Sequence, residues 1–149
     1  QRLNINYIDP CWEIEKVMSH IAQSEVLFAE AMHGAIVADS LRVPWVCIHS
    51  GDHVLPFKWN DWCSSVQVPY QPQQIPVLHP EVQGANLNLR TQQWWEQNQV
   101  ARALQKIVRN PPAPILSKDV VLQSLLSRLD DKLEVFKRDL ASGCFAVQA

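Results

Sequence analysis

The first part of the chain alternates between an amphipathic segment and segments that are apolar on every face. Apolar residues recur with helical spacing over residues 12–23, which predicts an amphipathic helix. The uncharged runs over residues 26–29 and 45–48 are short enough to form buried strands. Between them, the apolar stretch over residues 32–41 predicts a buried helix that ends before Pro44. Helix, strand, helix and strand in this order predict an α/β fold with parallel strands.

The later part of the chain is helical by pattern and follows a segment rich in proline and glutamine. Residues 91–109 and the stretch after Ser117 repeat apolar positions with helical spacing, and Gly143 is a suitable helix stop. The proline-rich segment predicts a linker or surface loop with polyproline character. These patterns divide the chain into three regions: an α/β domain over residues 1–65, a linker over 66–86 and a helical extension over 87–149.

Composition and charge narrow the classes of protein. The 149 residues include 13 Lys and Arg against 15 Asp and Glu, so no basic excess indicates a nucleic-acid partner. A hydrophobic content of 47% and a charged content of 19% are typical of a globular protein rather than a disordered one. No apolar run approaches the roughly 18 residues of a membrane helix. Four scattered cysteines without a CxxC pair predict reduced thiols and a cytosolic protein.

A histidine stands at the predicted junction between the first strand and the buried helix. Parallel sheets bind ligands beyond the carboxyl ends of their strands, and a helix that begins there offers free N–H groups to a phosphate or carboxylate. His33 and Gly34 occupy this place, and glycine lets a ligand or backbone approach closely. The alternative is that His33 only caps or packs this turn, and the spacing alone leaves both interpretations open.

Two motifs resemble those of a known enzyme family. The stretch SEVLFAEAMHGAIVADSLRVPWV, residues 24–46, resembles the signature of polysaccharide pyruvyl transferases of the exopolysaccharide ketal-pyruvate type. The stretch FKWNDW, residues 57–62, resembles a motif that follows it in the same family. The resemblance covers about residues 7–65 and implies the C-terminal part of such a protein. It implies part of one Rossmann-like half of a two-lobed, glycosyltransferase-type fold, to which the helical pattern of the later chain adds C-terminal helices.

The resemblance also implies a reaction and its partners. Family members transfer the enolpyruvyl carbon unit of phosphoenolpyruvate to two hydroxyls of one sugar, which gives a pyruvate ketal and phosphate. We expect a glycan or lipid-linked oligosaccharide as acceptor, a cytoplasmic location that extends to the inner face of the membrane, and no cofactor or metal. We also expect a partner, either a missing N-terminal half or a second copy, and no turnover by the chain alone. The alternative is a non-catalytic binding or assembly module that keeps the fold without the activity.

By this resemblance His33 falls on the motif histidine and is the expected acid or base. Its neighbours Met32 and Gly34 are expected to bind the donor. Many family members carry Arg-Leu-His at this point, with the arginine implicated in donor binding. The triplet here is Ala31-Met32-His33, so that arginine is missing.

Other residues are therefore expected to complete the site. Arg42 or Lys58 is expected to supply the positive charge for the donor. Arg42 has an equally weighted alternative, an ion pair with Asp39 three residues earlier. Trp59 and Trp62 are expected to bind the acceptor, because aromatic faces suit sugar rings.

Two further hypotheses come from the residues themselves. Cys47, His49 and His53 have the spacing Cys-x-His-x3-His, which would suit a metal but lacks a clear fourth ligand. The other hypothesis is an unrelated small helical protein, for which a signal of β-sheet would be contrary evidence.

Overall fold

The structure is a computed structural model that describes residues 5–51, 55–77 and 87–144. Its helices are α1 (Ile14–Ala22), α2 (Met32–Ser40), α3 (Pro56–Ser65), α4 (Leu87–Arg109) and α5 (Asp119–Ala141). Its strands are β1 (Leu27–Ala29), β2 (Trp45–Ser50) and β3 (Gln73–Ile75), which form one parallel sheet in the order β1-β2-β3. The α/β class predicted from the sequence is confirmed.

Strand β2 is the centre of the sheet, which explains the apolar run over its first four residues, 45–48. Its first half pairs with β1, with Trp45 opposite Leu27, and its second half pairs with β3. Trp45 and Cys47 are completely buried, and Val46 between them is 2% exposed. A parallel strand covered on both faces requires apolar residues at successive positions, and this strand follows that rule.

Small residues on α2 allow the helix to lie close to the sheet. Ala35 and Ala38 are completely buried in the same core as Trp45. A Cβ placed on Gly34 would lie 3.9 Å from the side chains of both Leu27 and Ala29. The apolar stretch therefore forms the buried helix that was predicted, and its first turn lies against strand β1.

Helices α2 and α3 end in the same backbone motif. Arg42 and Gln67 follow their helices with φ values of 61° and 57°, in the left-handed region that glycine usually occupies. The next amide closes each motif. At α2, Val43 donates to the carbonyl of Ala38 at 2.8 Å, and the equivalent bond at α3 is 2.9 Å long. This is the Schellman arrangement, here with side chains at positions where glycine is commoner.

The structure shows that one part of the predicted linker over residues 66–86 is a strand. Residues Gln73–Ile75 form strand β3, which pairs with Ile48–Ser50 of β2. The physical reason is that the second half of β2 needs partners for its backbone groups on this edge, and a polar segment can supply them as well as an apolar one. Residues 78–86 of the predicted linker lie outside the described residues. The polyproline character expected for the linker stays a prediction.

The chain forms two compact units, Gln1–Leu116 and Ser117–Ala149. The first contains the sheet, and there α4 contacts β3 while Ile115 and Trp45 exchange backbone hydrogen bonds of 2.7 and 2.9 Å. The second contains α5. The domain boundaries predicted at residues 65 and 86 stay predictions. Within the residues that the structure describes, none of the helices combines the length and apolar character that crossing a bilayer requires.

Candidate functional site at the strand ends

The carboxyl ends of β1 and β2 point to the same edge of the sheet and are joined by a side chain. The strands run parallel with Ala29 opposite Cys47, so both end at the same edge of the sheet. Glu30 follows β1, and one of its carboxylate oxygens accepts hydrogen bonds from the backbone N–H of Ser50, at 3.2 Å, and from the Ser50 hydroxyl. This contact joins residues 20 positions apart and lies at the edge where parallel sheets bind ligands. We call this edge of the sheet, beyond the carboxyl ends of β1 and β2, the strand-end edge.

His33 lies at this edge on the first turn of α2. The helix begins at Met32, directly after Glu30 and the N-cap residue Ala31, which has an extended backbone and makes no side-chain cap hydrogen bond. The first amides of a helix point out of its N-terminus, where the dipole is positive, and this arrangement suits an anion. The His33 side chain is exposed. It is therefore accessible to a molecule bound at the same edge.

The neighbours of His33 take different positions. Met32 is half-buried and packs against the core, so its side chain supports the fold and its backbone is the part that faces the helix terminus. Gly34 is half-buried against β1, and a Cβ there would make only ordinary van der Waals contacts. Their donor-binding roles stay predictions. The Ser50 contact was missed by the sequence arguments, although its place at the end of the adjacent apolar run is the signal that would have found it.

The structure shows the alternative contact of Arg42, and its donor-binding role stays a prediction. Arg42 follows the C-terminus of α2, while His33 lies on its first turn, so about 13 Å of helix axis separates them. The Arg42 guanidinium lies 3.8 Å from the Asp39 carboxylate and also donates to the Asp39 carbonyl oxygen at 3.2 Å. The Asp39 carboxylate is buried and accepts the indole N–H of Trp45 at 3.2 Å. Arg42 thus takes the alternative role, an ion pair with a buried carboxylate.

Lys58 remains the cation predicted for the donor. It is exposed on the first turn of α3, the helix that follows β2 along the chain. Parallel strands place the helices that follow them at the same edge of the sheet, so the first turn of α3 begins on the side where β2 ends. The role of Lys58 in donor binding stays a prediction.

The structure separates the two tryptophans predicted to bind the acceptor. Trp59 is 2% exposed, and its ring centroid lies 6.0 Å from that of Trp45 and 6.1 Å from that of Tyr70. Its faces are covered by the core, so the structure assigns it to packing and corrects the acceptor-binding prediction. Trp62 is half-buried, with its ring 5.0 Å from Trp45. Its role with a sugar stays a prediction.

A buried polar cluster lies beneath these rings. His49 is 4% exposed, and the Tyr70 hydroxyl lies 3.1 Å from its Nε2 atom. Burial, with a contribution from Cys63, raises the pKa of the Cys47 thiol to about 12, and burial together with the Asp39 charge raises the pKa of Cys63 to about 11. Both thiols are therefore protonated at neutral pH.

The structure describes only two of the three residues, Cys47 and His49, that the metal hypothesis requires. His53 lies outside the described residues. Among the residues that are described, no three His, Cys, Asp or Glu side chains form a group that could hold a metal ion. A thiol must lose its proton to become a metal ligand, and the burial of Cys47 opposes that loss.

Comparison with known proteins supports the resemblance seen in the motifs. Residues 1–52 match the sequence model of the family described as polysaccharide pyruvyl transferase. The succinoglycan biosynthesis protein ExoV of Rhizobium meliloti (strain 1021) is 47% identical over 75 residues, which make up 50% of this chain and 24% of that protein. The chain thus spans about a quarter of the length of this curated relative. No solved structure matches this chain significantly. The segment that contains β1, α2 and β2 lies within the part of the chain that is similar to the polysaccharide pyruvyl transferase family, as the motif over residues 24–46 predicted.

Proposed function

We propose that this chain is part of a polysaccharide pyruvyl transferase of exopolysaccharide biosynthesis that uses phosphoenolpyruvate to form a pyruvate ketal on a sugar. One observation carries the proposal. His33 is exposed on the first turn of α2 at the strand-end edge, inside the segment that matches the family. The relative named for succinoglycan biosynthesis, 47% identical over 75 residues, supports the same process.

The strand-end edge has the chemistry that the donor requires. Phosphoenolpyruvate carries a phosphate and a carboxylate, and both favour the positive end of a helix dipole. The N-terminus of α2 offers this field without a competing side-chain cap. Each anionic contact of this kind contributes about 0.3–1 kcal/mol, so a further cation is expected to contribute, and exposed Lys58 is our candidate.

His33 is the group we propose as general acid. Imidazole exchanges protons near neutral pH, and the exposed ring of His33 can meet a bound molecule. Its proton would go to the methylene carbon of the donor, which becomes a methyl group, while the first sugar hydroxyl bonds through its oxygen to the adjacent carbon and gives its own proton back to the imidazole. The second sugar hydroxyl then displaces phosphate from that carbon and closes the ketal, and its proton leaves with the phosphate. Glu30 would act as a positioning residue, because its carboxylate joins the two strand ends through Ser50.

The acceptor in this proposal is a glycan, carried on a lipid at the cytoplasmic face of the membrane. We propose that catalysis also needs groups from a second half or a second copy, because a cleft enzyme must hold donor and acceptor together. Phosphate release by this chain alone, measured with phosphoenolpyruvate and a glycan acceptor, should therefore stay at background. Clear turnover would refute the need for a partner.

The donor site itself can be tested on the chain alone. Phosphoenolpyruvate is titrated into labelled protein while the imidazole resonances of His33 and His20 are followed by NMR. His33 should shift in a saturable way, whereas His20, exposed in the last turn of α1, should stay unchanged and serves as the internal control. Lys58→Ala should weaken the binding several-fold. An unchanged His33 at high donor concentration would remove it from the donor site, and glycan binding without donor binding would favour a non-catalytic module.

A further inference from the structure

Helix α5 presents a continuous apolar seam to solvent. None of its residues is buried, and its exposed apolar side chains include Leu126, Leu129, Leu133, Phe136 and Leu140, which are 46–64% exposed. Together with Leu122, these residues are separated by alternating steps of four and three. This is the heptad pattern of a coiled coil, with Leu126, Leu133 and Leu140 at the a positions and Leu122, Leu129 and Phe136 at the d positions.

We propose that this seam binds helix α5 of a second copy of the chain, in antiparallel orientation. In such a pair each a residue faces a d residue of the other copy. The arrangement that we infer places Leu129 against Leu140 of the second copy and Leu133 against Phe136 of the second copy. Two-fold symmetry repeats both contacts, so four apolar layers extend over about 17 Å of helix. This inference does not depend on the proposed function.

The charges beside the seam select this orientation and register. The e positions carry Asp130 and Lys137, and the g positions carry Lys132 and Asp139. In an antiparallel pair e faces e and g faces g, so Asp130 lies beside Lys137 of the second copy and Lys132 lies beside its Asp139. Symmetry doubles these contacts to four pairs of opposite charge. Such flanking pairs set orientation and partner choice in coiled coils.

A parallel pair is disfavoured by the same residues. There a g position lies beside the next e position of the other helix, which sets Lys132 against Lys137 twice. Lys137 already forms an ion pair with Glu134 of its own helix at 2.7 Å, but both side chains are more than half exposed. An exposed pair of this kind contributes little and competes only weakly with the pair across the seam.

The test uses the full chain in a dilution series followed by sedimentation velocity. We expect a reversible change from the chain mass of 17.0 kDa to twice that mass. Lys132→Glu replaces two attractive contacts with two repulsive ones and should weaken the dimer on the order of tenfold. The double variant Lys132→Glu with Asp139→Lys should restore it. Arg128→Glu makes the same change of charge on α5 at a c position, away from the seam, and should leave the association within about twofold.

Three outcomes would overturn the proposal. A monomer throughout a series up to about 1 mM, where an association of about 4 kcal/mol would already be visible, excludes a second copy as the occupant. A dimer strengthened by Lys132→Glu would be parallel. A dimer unaffected by Leu133→Asp, with helix content verified by circular dichroism, would use another surface.

Discussion

The C-terminus of α2 allows a quantitative test of what Arg42 does. The residue has two separate effects on stability. Its backbone is held at a φ of 61°, which disfavours any residue with a Cβ, while its guanidinium lies beside the buried carboxylate of Asp39. Gln67 occupies the equivalent place after α3, with a φ of 57° and an exposed side chain. Substituting glycine at both positions separates the two effects.

The magnitudes follow from the geometry. Relief of a left-handed backbone is worth about 1 kcal/mol, so Gln67→Gly should raise the free energy of unfolding by about that amount. In Arg42→Gly the same relief is opposed by loss of the ion pair. The side chain of Arg42 is 34% exposed and that of Asp39 only 3%, which places the pair between the surface and the buried cases, at about 2 kcal/mol. We therefore expect a net loss of about 1 kcal/mol.

The assay is urea unfolding followed by tryptophan fluorescence, with wild type and both variants measured under one condition. The difference between the two glycine variants, about 2 kcal/mol, is the contribution of the Arg42 side chain. Arg42→Ala keeps the strained backbone and should be a further ~1 kcal/mol less stable than Arg42→Gly. If Arg42→Gly stabilises the protein as much as Gln67→Gly does, the ion pair contributes nothing. The structural role assigned to Arg42 would then be refuted.

Three further predictions concern the core and α2. The thiols of Cys47 and Cys63 ionise in the unfolded chain near their ordinary pKa of 9.0 but resist ionisation when folded. The free energy of unfolding should therefore fall from about pH 9 upward by about 1.4 kcal/mol per pH unit and thiol, and the fall should level off near pH 11 for Cys63 and pH 12 for Cys47. Urea midpoints at about pH 8 and about pH 10 would show this fall, and Cys47→Ala should make it less steep. Trp59→Ala should lower the free energy of unfolding by about 3–5 kcal/mol, since it empties a core site, and a smaller loss would place the ring outside the core. Gly34→Ala should raise the melting temperature, because its Cβ meets only ordinary contacts and alanine favours the helix by about 1 kcal/mol; a fall would indicate a tighter fit to β1.

The parts of the fold that the sequence predicted are those whose patterns are local. The runs over residues 26–29 and 45–48 correspond to β1 and β2, and the apolar stretch between them to α2, because each buries its own residues and needs no distant partner to be recognised. Strand β3 is different. Its residues Gln73–Ile75 carry no alternation, and their conformation depends on the free edge of β2, which lies far away in the sequence.

The aromatic motif shows a similar limit in the candidate site. Trp59 and Trp62 are three residues apart on α3, yet one is buried and the other is half-buried. The aromatic character of the motif suggested sugar binding for both, because residue type alone does not show which side of a helix meets the sheet. The spacing of Trp59, Cys63 and Val66, by four and three, is the signal that marks the inward side, and all three are at most 5% exposed.

The strand-end edge links two site residues that the sequence suggested for separate reasons. His33 came from a motif, and Lys58 came from its aromatic neighbours. In the structure each lies on the first turn of the helix that follows one of two adjacent parallel strands, His33 after β1 and Lys58 after β2. Because parallel strands end at one edge, the helices that follow them start there as well. The same topology places Arg42 at the far end of α2, away from that edge, where its guanidinium lies beside the carboxylate of Asp39.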